Sequence, residues 1–281
     1  MKTTIDCRIK LAPVFGMDVD ARSAMWQLEE IARTETVGVA GRFMPDPGIS
    51  RHMKAINVVE DVQEEDFFRF ARIVIPYTGV APPMKKKWEQ EEIRLMDLTS
   101  RQVKRAQVAL SLLRMEGGQP LVIGRHGDAE SRVIADGNPG CLILEDTTDT
   151  ARLSFSPAFV AVCQTRLSPR KVSWLVQQLR HRYRDAKVNF LDTLSPAMAA
   201  RERALEPLLS QADRVIIVGE PGEASCEALA ESALRNGKPS EIIAGPEAVR
   251  EPGRGRIVLT AGAFALDSTI RNVADALLGK A

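Results

Sequence analysis

Short apolar runs rich in Val and Ile recur along the chain, each followed by a stretch with apolar residues at helical spacing. The runs at 72–77 (RIVIPY), 120–124 (PLVIG), 141–144 (CLIL), 159–163 (FVAVC), 214–219 (RVIIVG), 241–244 (EIIA) and 256–259 (RIVL) read as strands, with weaker ones at 36–39, 55–59 and 94–98. Uninterrupted apolar runs of this length fit parallel strands covered on both faces. Helices are predicted at 21–33, 100–115, 169–183, 196–212, 224–236 and 268–278. Ser168-Pro169 and Ser195-Pro196 each put a capping serine before a proline at the first helical position, and Asn236-Gly237 supplies a stop. Strand and helix in alternation predict an α/β fold with mostly parallel sheets.

Long helices follow a strand near positions 16, 100 and 195, a spacing of about 85–95 residues that reads as a structural repeat. The expected organisation is three pseudo-symmetric α/β lobes: 14–99, 100–194, and 195–281 together with 1–13. Ligands of α/β folds gather at the carboxyl ends of the strands. Three such lobes are therefore expected to pool those ends around one central cavity.

Composition narrows the function classes. The 281 residues are 44% hydrophobic and 27% charged with a net charge of +1, enough to bury a core and unlike a disordered chain. Near-neutral charge argues against a nucleic-acid-binding surface. The basic runs 85–87 and 180–184 read as solvated helix faces. No apolar run reaches the roughly 18 residues of a membrane span, and Met1–Asp6 lacks an apolar export signal, so a cytoplasmic protein is expected. The four cysteines (Cys7, Cys141, Cys163, Cys226) are scattered and the three histidines form no ligand pair, which excludes a zinc ribbon and disfavours a disulfide framework. Neither a P-loop nor a G-x-S-x-G elbow is present.

The order of several motifs is informative. Pro76-Tyr77-Thr78-Gly79-Val80-Ala81-Pro82 is similar to S-A-H-G-V-x-P, and Asp97-Leu98-Thr99-Ser100 to D-A-T-C. Residues 123–130 (IGRHGDAE) are similar to I-G-x-x-x-H-x-E, 162–168 (VCQTRLS) to V-T-Q-T-T-L-S, and 194–202 (LSPAMAARE) to I-C-x-A-T-x-x-R-Q. Val218-Gly219 and Thr260-Ala261-Gly262-Ala263 follow in the same order as V-G-(x)-S-S-N and T-A-G-A-S. Across nearly its whole length the chain resembles the hydroxymethylbutenyl diphosphate reductase family, IspH or LytB.

That resemblance implies a reductase with an iron–sulfur cluster on three cysteines, one per lobe, but the matching positions here are Gly16, Ser100 and Ser195. Clusters need thiolate ligands, so no cofactor and no metal site is expected. The family's phosphate-facing histidines match Gly41, Thr78 and Asp128, its S-S-N run matches Glu223-Ala224-Ser225, and its last serine matches Phe264. Carboxylates at such places repel a diphosphate, so the family's substrate is expected not to bind.

The resemblance implies proton delivery for Glu130 and substrate positioning for Thr165, next to the retained Gln164. Glu130 and Asp128, two residues apart, suit divided acid and base roles if a cavity splits their pKa values, or plain helix-start acids if not. Cys163 ends a strand and is a candidate nucleophile, against the alternative of a small buried core residue; the same alternatives hold for Cys226. Arg42, Arg125 and Arg166 offer forks for a ligand carboxylate or phosphate, or pair with neighbouring acids. Ser100 and Ser195 suit helix caps whose hydroxyls line the vacated cluster space, and Thr78, Glu223 and Ser225 complete the candidate binding set.

Two functions follow. One is a cluster-free small-molecule enzyme with non-redox acid–base chemistry (lyase, isomerase or group transfer) on a charged metabolite, in specialised biosynthesis. The alternative is a non-catalytic protein that binds a metabolite or braces a partner, with its centre filled by Phe264, Met17 and Met198. A reductase with a relocated cluster ranks third. The expected partner is a small ligand in the central cavity, with no nucleic acid and no membrane; a homodimer is compatible with the sequence.

Overall fold

The computed structural model describes residues 7–250 and 253–280. In chain order the first half comprises β1 (Cys7–Leu11), α1 (Val19–Ala32), β2 (Val37–Val39), α2 (Pro47–Ala55), β3 (Val58–Val59), β4 (Ile73–Ile75), α3 (Pro82–Gln90), β5 (Leu95–Asp97), α4 (Arg101–Met115), β6 (Gln119–Ile123) and α5 (Ala129–Ala135). The second comprises β7 (Leu142–Leu144), α6 (Thr147–Arg152), β8 (Ala158–Cys163), α7 (Pro169–Arg182), β9 (Lys187–Phe190), α8 (Pro196–Leu209), β10 (Arg214–Val218), α9 (Ala224–Arg235), β11 (Ser240–Ile243), β12 (Gly255–Ala261) and α10 (Asp267–Leu277).

The strands form three four-stranded sheets in which every registered pair is parallel, in the orders β3-β2-β4-β5, β7-β6-β8-β9 and β1-β12-β10-β11. One scheme serves all three: the second strand of a set lies outside the first, and the third and fourth follow on the other side. In the last sheet the amino-terminal β1 takes the fourth place, beside β12. The fold is thus the expected α/β class with three parallel-sheet lobes.

The chain divides into two compact units. The first comprises residues 7–27, 44–56 and the chain from Pro196; the second comprises residues 28–43 and 57–195. In the first unit, Val215, Ile217 and Val258 pack with Leu205, Leu209 and Leu229 of α8 and α9, while Ile216, Leu259 and Ala261 pack with Ile270 and Val273 of α10. Successive strand residues thus bury opposite faces, which explains the unbroken apolar runs. In the second unit Val122 and Val162 meet Val103 and Leu110 of α4, and Leu121 and Phe159 meet Leu179 of α7. Ile73 and Ile75 meet Phe67 and Trp88, whose rings stack edge to face at 5.1 Å. Among the described residues no helix is long and apolar enough to cross a membrane.

Candidate functional site

In the second unit the carboxyl ends of β6 and β8 carry the retained motif residues. Glu130, in the first turn of α5, is fully buried. One carboxylate oxygen accepts the Thr165 N–H at 2.6 Å and the other is ion-paired to Arg166, itself buried. Burial pushes the Glu130 carboxyl above the usual range, against the pull of Arg166 and Thr165. The guanidinium of Arg166 also lies 5.9 Å from the Tyr77 ring centroid. Arg166, expected to grip a ligand or pair with an acid, takes the second role.

Gln164 is fully buried, and its carbonyl oxygen accepts the Arg125 N–H at 3.2 Å and the Ser131 hydroxyl at 3.1 Å. Its Nε2 is buried with no hydrogen-bond partner, and the buried Thr165 hydroxyl stands beside the Glu130 carboxylate. An orphan such as this Nε2 is rare in folded proteins and is a group a ligand would satisfy. Ser195 joins the group through its N–H, which donates to the Thr165 carbonyl at 2.7 Å, and Ser100 through its N–H, which donates to the Tyr77 carbonyl at 2.9 Å. Thr78 is buried in the turn that follows Tyr77.

Other candidates serve the local fold. Asp128 is the N-cap of α5 and accepts the Glu130 N–H at 2.8 Å; Ser100 is the N-cap of α4 and accepts the Gln102 N–H at 3.3 Å. Arg125 faces Glu145 at 3.8 Å, and Arg42 is exposed. Cys163 is fully buried at the end of β8, its N–H donating to the Thr193 hydroxyl at 3.0 Å. Burial, with the charges of Asp192 and Glu130, pushes its thiol up to about 12 against the opposing hydrogen bonds of Thr193. A buried thiol of this kind suits the small core residue of the alternative reading better than the nucleophile.

Asp97, in the D-x-T-S motif, orders the entry to α4. Its carboxylate accepts the Thr99 N–H at 3.0 Å and pairs with Lys85 at 2.7 Å and Lys104 at 3.2 Å. Burial would raise its pKa, but these partners outweigh burial and leave it at about 2. A lowered folded-state pKa contributes stability above the unfolded value that is lost as pH falls through the folded one. Asp97→Asn is therefore expected to cost about 2 kcal/mol at neutral pH, a difference that fades between about pH 4 and pH 2. Urea denaturation across that range checks it.

In the first unit Glu223 is the buried N-cap of α9. It accepts from the N–H groups of Ser225 and Cys226 at 3.0 and 3.1 Å and from the Ser225 hydroxyl. The Ser225 oxygen in turn accepts the Ala263 N–H at 2.8 Å, tying this loop to the T-A-G-A turn. The Cys226 sulfur fills the gap, so close that a Cβ at Gly219 or Gly262 would collide with it. Burial first, then Glu223, pushes that thiol well above its ordinary value. Phe264, Met17 and Met198 are all buried.

Sequence reasoning did not single out Arg201. Buried on α8, it pairs with Asp18 at 2.5 Å and donates to the Gly16 carbonyl. The signal was present: Met198, Arg201, Leu205 and Leu208 fall three or four apart, which places this arginine on the buried stripe of the helix. Gly16 itself has φ +76°, and a Cβ there would lie 3.2 Å from Ile270 Cδ1 and 3.5 Å from an Asp267 carboxylate oxygen.

The family model of the LytB protein matches residues 10–278, and this chain belongs to that family. A 4-hydroxy-3-methylbut-2-enyl diphosphate reductase of Treponema denticola is 26% identical over 288 residues, covering 96% of this chain and 99% of the relative. The reductase of the same description from Ralstonia nicotianae is 28% identical over 211 residues, covering 73% of this chain and 65% of the relative. The structure of the E-1-hydroxy-2-methyl-but-2-enyl-4-diphosphate reductase from Plasmodium falciparum superimposes with a TM-score of 0.85 at 16% identity, over 96% of this chain and 87% of that one, which shows a shared fold.

Proposed function

We propose that this chain is a cluster-free member of the LytB family, a cytoplasmic protein that handles a small charged metabolite by proton and charge chemistry. One observation carries the reading: the three positions matched to cluster cysteines are Gly16, Ser100 and Ser195. These residues do not fit an iron–sulfur cluster. Glycine offers no ligand atom, the Ser100 hydroxyl is engaged as a helix cap, and hydroxyls are poor substitutes for thiolates. Among the described residues no group of three His, Cys, Asp or Glu side chains is placed to hold a metal ion. The diphosphate of the named relatives is disfavoured by Glu223 and Asp128, whose charges oppose its own.

The ligand's natural contact is the orphaned Gln164 amide, beside a Glu130 carboxyl whose pKa is raised by burial. In an enzyme, Glu130 is the group that gives or takes the proton, which requires Arg166 to swing from it or to share it with the substrate. A second reading, a non-catalytic metabolite binder, is favoured by the same pairing, since Glu130, Asp128 and Glu223 all have internal partners.

Anaerobically purified protein is expected to be colourless, free of iron and acid-labile sulfide, and unable to bind 4-hydroxy-3-methylbut-2-enyl diphosphate at micromolar concentration. A brown preparation with stoichiometric iron overturns the proposal. A thermal-shift screen of metabolites then separates the two readings: Glu130→Gln abolishes turnover of a ligand that is a substrate and leaves unchanged the state of one that is only bound.

A further inference from the structure

Helix α4 carries two apolar stripes. One, formed by Val103, Ala106 and Leu110, is buried against Val122 and Val162 of the sheet. The other faces solvent: Val108 and Leu112 are each 59% exposed and Met115 is 83% exposed. Among the described residues no other helix exposes three large apolar side chains. The three fall four and then three positions apart, which is the spacing of a helix–helix seam. Carried towards the amino terminus, the same spacing reaches the exposed Arg105, whose apolar stem extends the stripe by one more layer.

The charges of this face run against the helix dipole. The first turn of α4 holds no acid, and the exposed Glu116 caps its carboxyl end, beside the negative pole. Arg105 stands in the positive half, its guanidinium held in place by a 3.0 Å hydrogen bond to the Asp192 carbonyl. At about 100° per residue, Arg105 and Glu116 project from the same flank of the stripe, about 16 Å apart along the axis. Arg114, the basic residue of the last turn, falls on the opposite flank. Each pole thus carries the wrong charge for its own helix and the right charge for an antiparallel neighbour.

We propose that the occupant of this face is a second copy of the chain, with the two α4 helices packed antiparallel about a two-fold axis that passes between Val108 and Leu112. A two-fold axis makes every contact occur twice. Val108 of one copy then meets Leu112 of the other, and Met115 lies over the stem of Arg105. A two-fold axis of this kind keeps each flank on its own side, so the Arg105 guanidinium of one copy reaches the Glu116 carboxylate of the other. Parallel pairing would set Arg105 against Arg105 and Glu116 against Glu116, which opposes it. The seam is one helix pair about 22 Å long, so the dimer is weak and forms at micromolar concentration. It uses none of the residues assigned above to a ligand or a proton and is independent of that reading.

Sedimentation velocity of the full chain between about 2 and 500 μM tests it, with an expected monomer–dimer equilibrium of Kd about 10–100 μM. Leu112→Lys is expected to weaken the dimer at least about tenfold, with a melting temperature at about 2 μM equal to that of the parent, because the position is exposed. Glu116→Arg is expected to weaken it about tenfold by setting two cations together. Arg105→Glu combined with Glu116→Arg exchanges the charges and is expected to bring the affinity back to within about threefold of the parent. A chain that stays monomeric throughout the range, a dimer untouched by Leu112→Lys, or an exchanged pair that recovers nothing overturns the proposal.

Discussion

Arg166→Met is expected to lower the melting temperature of this protein by about 10 °C, corresponding to a loss of about 3–5 kcal/mol. The substitution keeps an unbranched apolar stem and removes the guanidinium with its charge and its N–H donors. It leaves the fully buried Glu130 carboxylate with the Thr165 N–H and no counter-charge. An unpaired buried anion takes up a proton, so the Glu130 pKa rises further in the variant. A raised folded-state pKa favours the folded protein at low pH, so the destabilisation is expected to shrink as pH falls and to be largest near neutrality. Glu130→Gln combined with Arg166→Met removes both charges and is expected to recover most of the loss. Scanning calorimetry of the two variants against pH checks both points. A single variant that melts within a degree or two of the parent shows that the pair is not the anchor argued here.

A comparable loss is expected at Arg201, in the other unit. Arg201→Met removes the partner of Asp18 and the donor to the Gly16 carbonyl, both from a buried helix face. The expected cost is about 3 kcal/mol, close to that of other broken buried ion pairs. Arg201→Lys keeps the charge but has no planar fork to serve both acceptors, so it is expected to fall between the two. Chemical denaturation of the three proteins measures the order. If lysine matches arginine, the Gly16 carbonyl contact contributes nothing.

The central strands were legible because each is buried on both faces and so reads as an unbroken apolar run, as at Val215–Val218 and Val160–Val162. The edge strands β1 (CRIKL) and β9 (KVNF) are implied only as the strands that precede the helices near 16 and 195, and no bounds are read for them. Each lies at the rim of its sheet with polar residues on one side, so its period is two. The helices α2 and α6 are not among the predicted elements, and α5 is legible only through its start at Asp128 and Glu130. They span nine, six and seven residues, too few for a periodic pattern, and their caps Asp46, Asp146 and Asp128 are the stronger signal. The motif residues Glu130, Gln164 and Thr165 do come together, because two adjacent strands end there. What sequence order does not carry is which partner each side chain prefers. Asp128 and Ser100 were offered both as caps and as site groups, and each has settled on the backbone N–H of its own helix.

The left-handed turn at Gly16 closes this position to other residues. Any L side chain installed there meets a backbone that such residues avoid, with a methyl group of Ile270 3.2 Å and an Asp267 carboxylate oxygen 3.5 Å from its Cβ. A larger residue there would first have to unwind the loop that Arg201 now grips through the Gly16 carbonyl.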